Sequence, residues 1–398
     1  MKNINLIIIH GELMDVLQFY AALFVAIWVV AFLFKDKLKI EIHGPLLMRK
    51  TTRMRGLIDR IAQRHKRFWK WTMNIGIFVA FFFMIVMIYA LLNSLQDLFT
   101  APQAALILPG VDLPGSPIFV PLGYGILALA TVMVVHEFGH GILARVEGIS
   151  IKSIGVLMLA ILPGAFVEPD EEEIKKSKRS SKLRIYAAGS VFNLMLAALA
   201  FIMVIGISNF AIPAAFHADG VHIDSVVPGS PASGVLKDGM VLESVNGVSV
   251  SNFTNYQKQL SSLKIGQTAI LATDQGTFNI KTEKNPNNST RAYIGIRSSV
   301  NMEVNENVAK AYGDQIPWVW MYLKDLFWWI FFLNFAVGTF NLLPVKPLDG
   351  GLMLEEALRY KLSDDKIKPI IYTISILLIS VVAVSVIWGT GRGLLMMF

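Results

Sequence analysis

Long apolar blocks separated by polar segments constrain this chain more than any other feature of its sequence. A helix that crosses a bilayer needs about 20 mostly apolar residues, and six stretches meet or approach that length. They are Val16–Phe34, Met73–Leu92, Gly123–Ala144, Ile185–Ile207, Trp318–Leu343 and Ile370–Trp388. Hydrophobic residues make up 54% of the 398 residues and charged ones only 16%. We therefore predict an α-helical polytopic membrane protein.

Lysine and arginine are distributed unevenly over the connections between these spans. The connections 35–72, 145–184 and 345–368 are rich in them, whereas 93–122 contains none. Cytoplasmic loops retain positive charge. We therefore expect the three basic connections inside, and 93–122, the long stretch 208–317 and both termini outside. The first residues do not resemble a cleaved signal peptide, so the first span is expected to remain as an anchor.

Two further segments do not fit the pattern of spans. The stretch from about 217 to 300 is polar and glycine-rich, with short β-like runs and turn signals such as Asn246-Gly247, which predicts a small inserted α+β domain. The apolar stretch Ile154–Val167 is too short to span and is broken by Pro163 and Gly164. We expect a re-entrant β-hairpin there, because irregular backbone at membrane depth requires protein around it.

The residues His136-Glu137-Phe138-Gly139-His140 form an H-E-x-x-H motif. Residues i and i+4 of a helix share one face, so both imidazoles can bind one metal ion. Zinc lowers the pKa of a bound water to about 7, and Glu137 is placed to take its proton and deliver it to a leaving amine. The alternative is a histidine pair that caps a membrane helix; it is disfavoured because ionisable groups at membrane depth are costly and usually functional.

A catalytic zinc normally has three protein ligands, and the chain has no cysteine to offer. The other histidines are expected either outside or in a basic loop that looks solvated: His10, His217, His222, His43 and His65. Asp349 is the better candidate, since it follows the fifth span at the expected level of the histidines. Prolines 344 and 347 and glycines 350 and 351 break the helix there.

Together these motifs resemble the site-2 protease family of intramembrane zinc metalloproteases. The second motif, N-x-x-P-x-x-x-L-D-G, is complete from Asn341 to Gly350. Ala187-Ala188-Gly189 with Asn193 also resembles the family, as does the 154–167 hairpin. The 217–300 segment looks like a PDZ domain. The resemblance covers roughly residues 120–360 and is to an archaeal-looking, PDZ-containing member.

The resemblance implies one Zn²⁺ per chain, held by His136, His140 and Asp349, with Glu137 as the catalytic base. Asn341 and Asn193 would help to hold the substrate strand or the active-site loop. The implied substrates are single-span or other membrane proteins, cut in or near their transmembrane segments. The implied location is the cell membrane, with the active site near the cytoplasmic side and the PDZ-like domain outside. No segment suggests nucleic-acid binding.

The expected domain organisation has five parts. They are an N-terminal membrane region with two spans (1–119), the first part of the catalytic core (120–210), the PDZ-like domain (211–303), the second part of the core (304–360) and a C-terminal span (361–398).

Three other interpretations remain open. A membrane metalloprotease with glutamate as its third ligand would have a largely soluble cytoplasmic domain, for which no inside loop is long enough. A zinc or ion transporter could use the same ligands, although we find neither a repeated architecture nor a site near the midplane. A catalytically inactive scaffold could present the peptide-binding domain, but the intact Glu137 argues against this.

Overall fold

The computed structural model describes residues 2–52, 54–96, 107–112, 116, 118–159, 162–250, 253–286 and 288–395. Its α-helices are α1 (Lys2–Leu38), α2 (Arg55–Arg64), α3 (Lys66–Asn93), α4 (Leu122–Val146), α5 (Glu171–Lys176), α6 (Arg179–Gly206), α7 (Ile212–Ala215), α8 (Phe253–Ser262), α9 (Glu306–Tyr312), α10 (Val319–Phe340), α11 (Asp349–Leu358) and α12 (Asp364–Leu395). Its strands are β1 (Ile40–His43), β2 (Leu46–Thr51), β3 (Ile151–Leu159), β4 (Leu162–Pro169), β5 (Phe216–Val226), β6 (Val241–Val245), β7 (Val248–Ser249), β8 (Thr268–Thr273), β9 (Gly276–Lys281), β10 (Glu283–Asn285), β11 (Asn288–Tyr293) and β12 (Ile296–Val304).

Within these described ranges, six helices are long and apolar enough to cross a membrane. The candidate spans are Gln18–Leu38, Lys66–Asn93, Leu122–Val146, Arg179–Ala215, Ile316–Phe340 and Asp364–Gly391. Each overlaps one predicted span, and the α+β insertion lies between the fourth and the fifth. The predicted fold class is therefore confirmed. The fourth span runs beyond α6, because a π-helical turn over Ile207–Ala211 continues into α7.

The chain divides into two compact units. One contains Met1–Val204 together with Asp325–Phe398, and the other contains Ile205–Lys324. The first unit contains both sequence motifs, H-E-x-x-H and N-x-x-P-x-x-x-L-D-G. The second holds the predicted PDZ-like insertion. We call the second unit the 205–324 unit.

The first unit contains a four-stranded antiparallel sheet in the order β1-β2-β3-β4. Strands β3 and β4 form the predicted hairpin, although its turn at 160–161 lies outside the described residues. The basic connection 35–72 was expected to be a loop, and this is wrong for residues 40–51, where β1 and β2 form a second hairpin; His43 in β1 is exposed, as expected. The apolar run Leu46–Met48 begins strand β2, which pairs with β3 from Leu46↔Leu159 to Thr51↔Ile154.

Helices α4 and α6 approach each other closely through small residues. A Cβ atom on Gly139 would lie 2.7 Å from the carbonyl oxygen of Ala188, which is closer than a side chain tolerates. The adjoining Ala187, Gly189 and Ser190 of α6 are also buried. Such stretches of small residues let membrane helices pack with their backbones almost in contact.

The 205–324 unit has a conventional hydrophobic core. Its sheet has the order β12-β5-β6-β8-β9, with the short β7 paired to β6 and a separate β10–β11 ribbon. Val221, Ile223, Leu242 and Leu271 are completely buried among its strands, and Tyr256 of α8 is nearly so. This alternation of buried apolar residues along strands produces the mixed α+β structure predicted for the insertion.

Candidate metal centre

Two of the predicted metal ligands lie side by side on α4. His136 and His140 are one helical turn apart, and their Nε2 atoms are separated by 3.2 Å. The rings meet edge to face, at 77° and with 4.8 Å between their centroids. The two Nε2 atoms can therefore face one metal ion without any change in the backbone conformation.

The third predicted ligand reaches the histidines because the chain reverses sharply after α10. Asn341 lies in the first turn of this loop, and its carbonyl oxygen accepts the N–H of Gly350 at 2.8 Å. A Cβ atom on Gly350 would collide with the carbonyl of Leu342, and one on Gly351 would lie 2.6 Å from the carbonyl of Val345. Only glycine allows α11 to start so close to the loop. The buried Asp349 is consequently the first residue of α11.

The three ligand side chains have the spacing that zinc requires. The Nε2 atom of His136 lies 3.6 Å from Asp349 Oδ2, and the Nε2 atom of His140 lies 3.4 Å from Asp349 Oδ1. With zinc–ligand bonds of about 2.0–2.1 Å, two ligands of a tetrahedral ion lie roughly 3.3 Å apart. Among the described residues, this is the group of histidine and carboxylate side chains that could hold a metal ion.

Helix α6 supports all three ligands from one face. The carbonyl oxygen of Ile185 lies 2.8 Å from His140 Nδ1, and the hydroxyl of Ser190 donates to Asp349 Oδ2 at 2.8 Å. Between them, Gly189 leaves the space in which the imidazoles meet. A Cβ atom on Gly189 would lie 2.6 Å from His136 Nε2 and would collide with the corresponding atom of His140.

The electrostatics of the site favour the ionised form of its carboxylate. Burial alone would raise the pKa of Asp349. His140, followed by His136 and the Ser190 hydroxyl, outweighs burial and holds that pKa below its ordinary value. An ionised carboxylate is the species that coordinates a metal.

A polar atom on α6 also indicates how His136 is oriented for a metal. The amide of Asn193 faces His136 Nδ1, with Nδ2 3.4 Å away, while its buried Oδ1 has no partner among the described residues. A neutral histidine that offers Nε2 to a metal carries its proton on Nδ1 and needs an acceptor there. Amide oxygen and nitrogen are assigned from such networks. Turning the Asn193 amide over pairs Oδ1 with that N–H.

The remaining residue of the first motif, Glu137, contacts the sheet. Its Oε2 atom accepts the backbone N–H of Val167 in β4 at 2.8 Å. This contact joins α4 to a strand through one carboxylate oxygen of Glu137. Glu137 therefore lies between the ligand pair and β4.

Comparison with known proteins gives this arrangement a family. The model of peptidase family M50 matches residues 124–382, which include α4, α6 and the α10–α11 loop. The chain belongs to peptidase family M50. The predicted resemblance to site-2 proteases is confirmed, and the protein is a membrane protein of a metalloprotease family.

Three individual relatives of this M50 protein show how far the similarity extends, and two of them carry protease names. An uncharacterised protein of Methanocaldococcus jannaschii is 28% identical over 85% of this chain and 84% of its own length. A membrane-bound transcription factor site-2 protease homologue of Arabidopsis thaliana is 30% identical over 32% of this chain and 25% of its own length. A protein described as a candidate zinc metalloprotease of Clostridium perfringens is 24% identical over 59% of this chain and 87% of its own length.

Solved structures match a smaller part of the M50 chain. PDZ domains of SdrC-like proteins from Listeria monocytogenes and Listeria innocua are each 25% identical and cover 20% of this chain. The matches span 87% and 93% of those domains, each with a TM-score of 0.19.

Sequence reasoning predicted the three side chains that converge in this M50 site but missed part of their support. Ser190 and the Ile185 carbonyl had not been singled out. One signal was present, because Ile185, Gly189 and Asn193 recur every four residues and so share a helix face. The role of a backbone carbonyl cannot be predicted from a pattern of side chains. The contact that the structure gives Asn341 is made by its backbone, and its predicted role in substrate binding stays a prediction.

Proposed function

We propose that this protein is an intramembrane zinc endopeptidase that hydrolyses peptide bonds in or near the transmembrane segments of membrane-protein substrates. One observation carries the proposal. A carboxylate, Glu137, joins a three-ligand metal centre, whose two histidines lie on a candidate membrane helix, to the outermost strand of a sheet. This arrangement combines a hydrolytic group with a backbone edge to which an extended substrate can bind.

The residues of the chain divide the chemistry between them. His136, His140 and Asp349 would hold zinc, which supplies Lewis-acid polarisation of the substrate carbonyl and a lowered pKa for the attacking water. Glu137 accepts the proton of that water and passes it to the leaving amine. Ser190 and Asn193 keep the ligands oriented while this happens.

The outer edge of β4 is the proposed place for the substrate backbone. The N–H of Asp170, at the end of β4, bonds to Ser150 beside β3, whereas the N–H of Val167 points the other way to Glu137. Alternate residues of a strand direct their backbone groups to the same side. Pro163 and Ala165 therefore share the outward side with Val167, and Ala165 supplies the outward N–H that is not already taken by Glu137. A substrate unwound into a strand would pair here by β-augmentation.

One cleavage experiment tests both parts of this proposal. A single-span substrate is incubated in liposomes with wild type, Glu137→Gln, Ala165→Pro and Ala165→Val. Glu137→Gln should keep its zinc and lose at least about 1,000-fold in rate, because the amide cannot accept a proton. Ala165→Pro should lose about tenfold or more, and Ala165→Val, which keeps the N–H, should cleave normally.

Two results of that experiment would contradict the proposal. Turnover by Glu137→Gln at the wild-type rate would remove Glu137 from the mechanism. Equal rates for the proline and valine variants would remove the β4 edge from substrate binding.

We further propose that the metal centre lies near the cytoplasmic face and the 205–324 unit on the opposite side, as the distribution of lysine and arginine indicates. Because the chain has no cysteine, a single cysteine introduced at Lys264 can be labelled with an impermeant thiol reagent. Labelling of intact cells supports this orientation, and labelling only after permeabilisation contradicts it.

A further inference from the structure

A group of positive charges in the first unit has no carboxylate partner among the residues that the structure describes. Five exposed cations from the end of β2 to the start of α3 make no ion pair with any described side chain; we call them the basic face. They are Arg49, Arg60, Arg64, Lys66 and Arg67. The carboxylates nearby are already engaged, since Asp59 pairs with Arg145 and Glu41 pairs with Lys50. The basic face thus carries charge that the described part of the chain does not neutralise.

In the second basic segment, residues 145–184, five of the eight described cations have a carboxylate partner. Arg184 bonds to the buried Glu147 at 2.9 Å, and Lys182 lies 3.6 Å from the buried Glu356. Lys175 pairs with Glu172 at 2.8 Å. Here the protein supplies anions for its own cations. A solvated loop would account for unpaired cations, but α2 and β2 are regular elements whose inner faces are buried.

Exposed apolar side chains adjoin the basic face. Phe68 and Trp71, in the first turns of α3, are 52% and 64% exposed, and Met54 and Leu57 at the start of α2 are 38% and 42% exposed. Helix α3 is a candidate span that begins at Lys66. The cations therefore lie at the end of a span, where lipid headgroups are found, with aromatic rings on the side that enters the hydrocarbon.

We propose that the basic face binds the anionic phospholipid headgroups of the surrounding bilayer. Clusters of four to eight lysines and arginines beside a transmembrane helix attract anionic lipid over a range of about one Debye length. The neighbouring apolar side chains contact the acyl chains of the same lipids. The partner is thus the lipid next to the span, because the basic face is continuous with α3.

This lipid contact would bear directly on the catalytic helix. The buried side of α2 packs on α4, where Ile58 faces Gly141. The side chain of Gln63 donates to the carbonyl of Arg145 at 3.1 Å, and Asp59 forms an ion pair with the Arg145 guanidinium. Arg145 is five residues beyond His140 on α4. Headgroups on the outer side of α2 would thus bind a helix whose inner side contacts the end of α4 beyond the histidines.

The test compares the association of two spin-labelled lipids with the full-length protein in phosphatidylcholine bilayers. Spin-labelled phosphatidylglycerol should associate with the wild type at least about threefold more strongly than spin-labelled phosphatidylcholine, and this preference should fall in 0.5 M salt. The triple variant Arg60→Gln/Arg64→Gln/Arg67→Gln should lose the preference. Equal association of both lipids with the wild type would overturn the proposal, as would a preference that survives in the triple variant.

Two matched variants separate the basic face from net charge and from misfolding. Lys237→Gln/Lys258→Gln/Lys281→Gln removes three exposed charges from the 205–324 unit and should keep the preference; its loss there would contradict the assignment. Arg60→Lys/Arg64→Lys/Arg67→Lys keeps the charge and should also keep the preference. Zinc content measured on every variant shows that the first unit has folded.

Discussion

The metal centre and the 205–324 unit are built on opposite principles. Around the metal centre, small residues predominate among the buried residues of α4 and α6, although Leu143 is also completely buried, and many large side chains of α3 point outward; Phe78 and Phe82 are 77% and 60% exposed. In the 205–324 unit, large aliphatic residues such as Leu242 and Leu271 are completely buried. A bilayer solvates the outer apolar side chains of the first unit, whereas water drives those of the second into a core.

Because of this difference, the two units should be sensitive to different kinds of mutation. In the first unit, helices pack almost backbone to backbone, so added atoms near Gly189 have nowhere to go. In the 205–324 unit, stability depends on the apolar area removed from water. Substitutions that remove buried apolar atoms should therefore lower its stability more than substitutions that add polar atoms. Substitutions near Gly189 should therefore alter zinc binding, and substitutions in the core of the 205–324 unit should alter the stability of that unit.

The largest expected effect is on the stability of the 205–324 unit. Leu242→Ala should destabilise it by about 2–5 kcal/mol, because the substitution removes transfer free energy and leaves a cavity. Hydrogen exchange of strands β6 and β8 should report this loss while the zinc content of the protein stays unchanged. Loss of zinc in parallel would show that the two units are coupled and would break the comparison.

A smaller effect is expected in the metal centre, from a substitution that adds atoms instead of removing them. Gly189→Ala adds one methyl group beside both imidazoles and should weaken zinc binding by about 100-fold, or about 2.7 kcal/mol. Gly206→Ala, near the other end of α6, meets no atom within 4 Å and should leave zinc binding unchanged. Competition with a zinc chelator measures both. Equal zinc affinities for the two variants would contradict the close packing described for α6.

The smallest expected effect concerns the orientation of one ligand. Asn193→Ala removes the acceptor for the His136 Nδ1 proton and should weaken zinc binding about tenfold. Asn193→Asp retains an acceptor oxygen and should bind zinc more tightly than the alanine variant. If both variants lose zinc equally, the amide oxygen of Asn193 does not face His136.

How far the sequence predicts the structure also differs between the two units. Repeating local patterns revealed the spans, the H-E-x-x-H ligands and the alternating strands, because each depends on residues close together in the chain. The pairing of β2 with β3 joins segments about 100 residues apart, and nothing in the run Leu46–Met48 specifies its partner. The same holds for Ser190, whose hydroxyl acquires its role only when Asp349 is folded against it.

The most direct test of the whole account is the zinc content of the purified protein, measured for wild type, Asp349→Ala and Asp365→Ala. The last variant removes an exposed carboxylate of α12 and serves as the control. We predict one zinc per chain in the wild type and in Asp365→Ala, and a loss of at least about 100-fold in zinc affinity for Asp349→Ala. Full zinc occupancy with unchanged affinity in Asp349→Ala would show that the third ligand lies elsewhere and would contradict the metal centre described above.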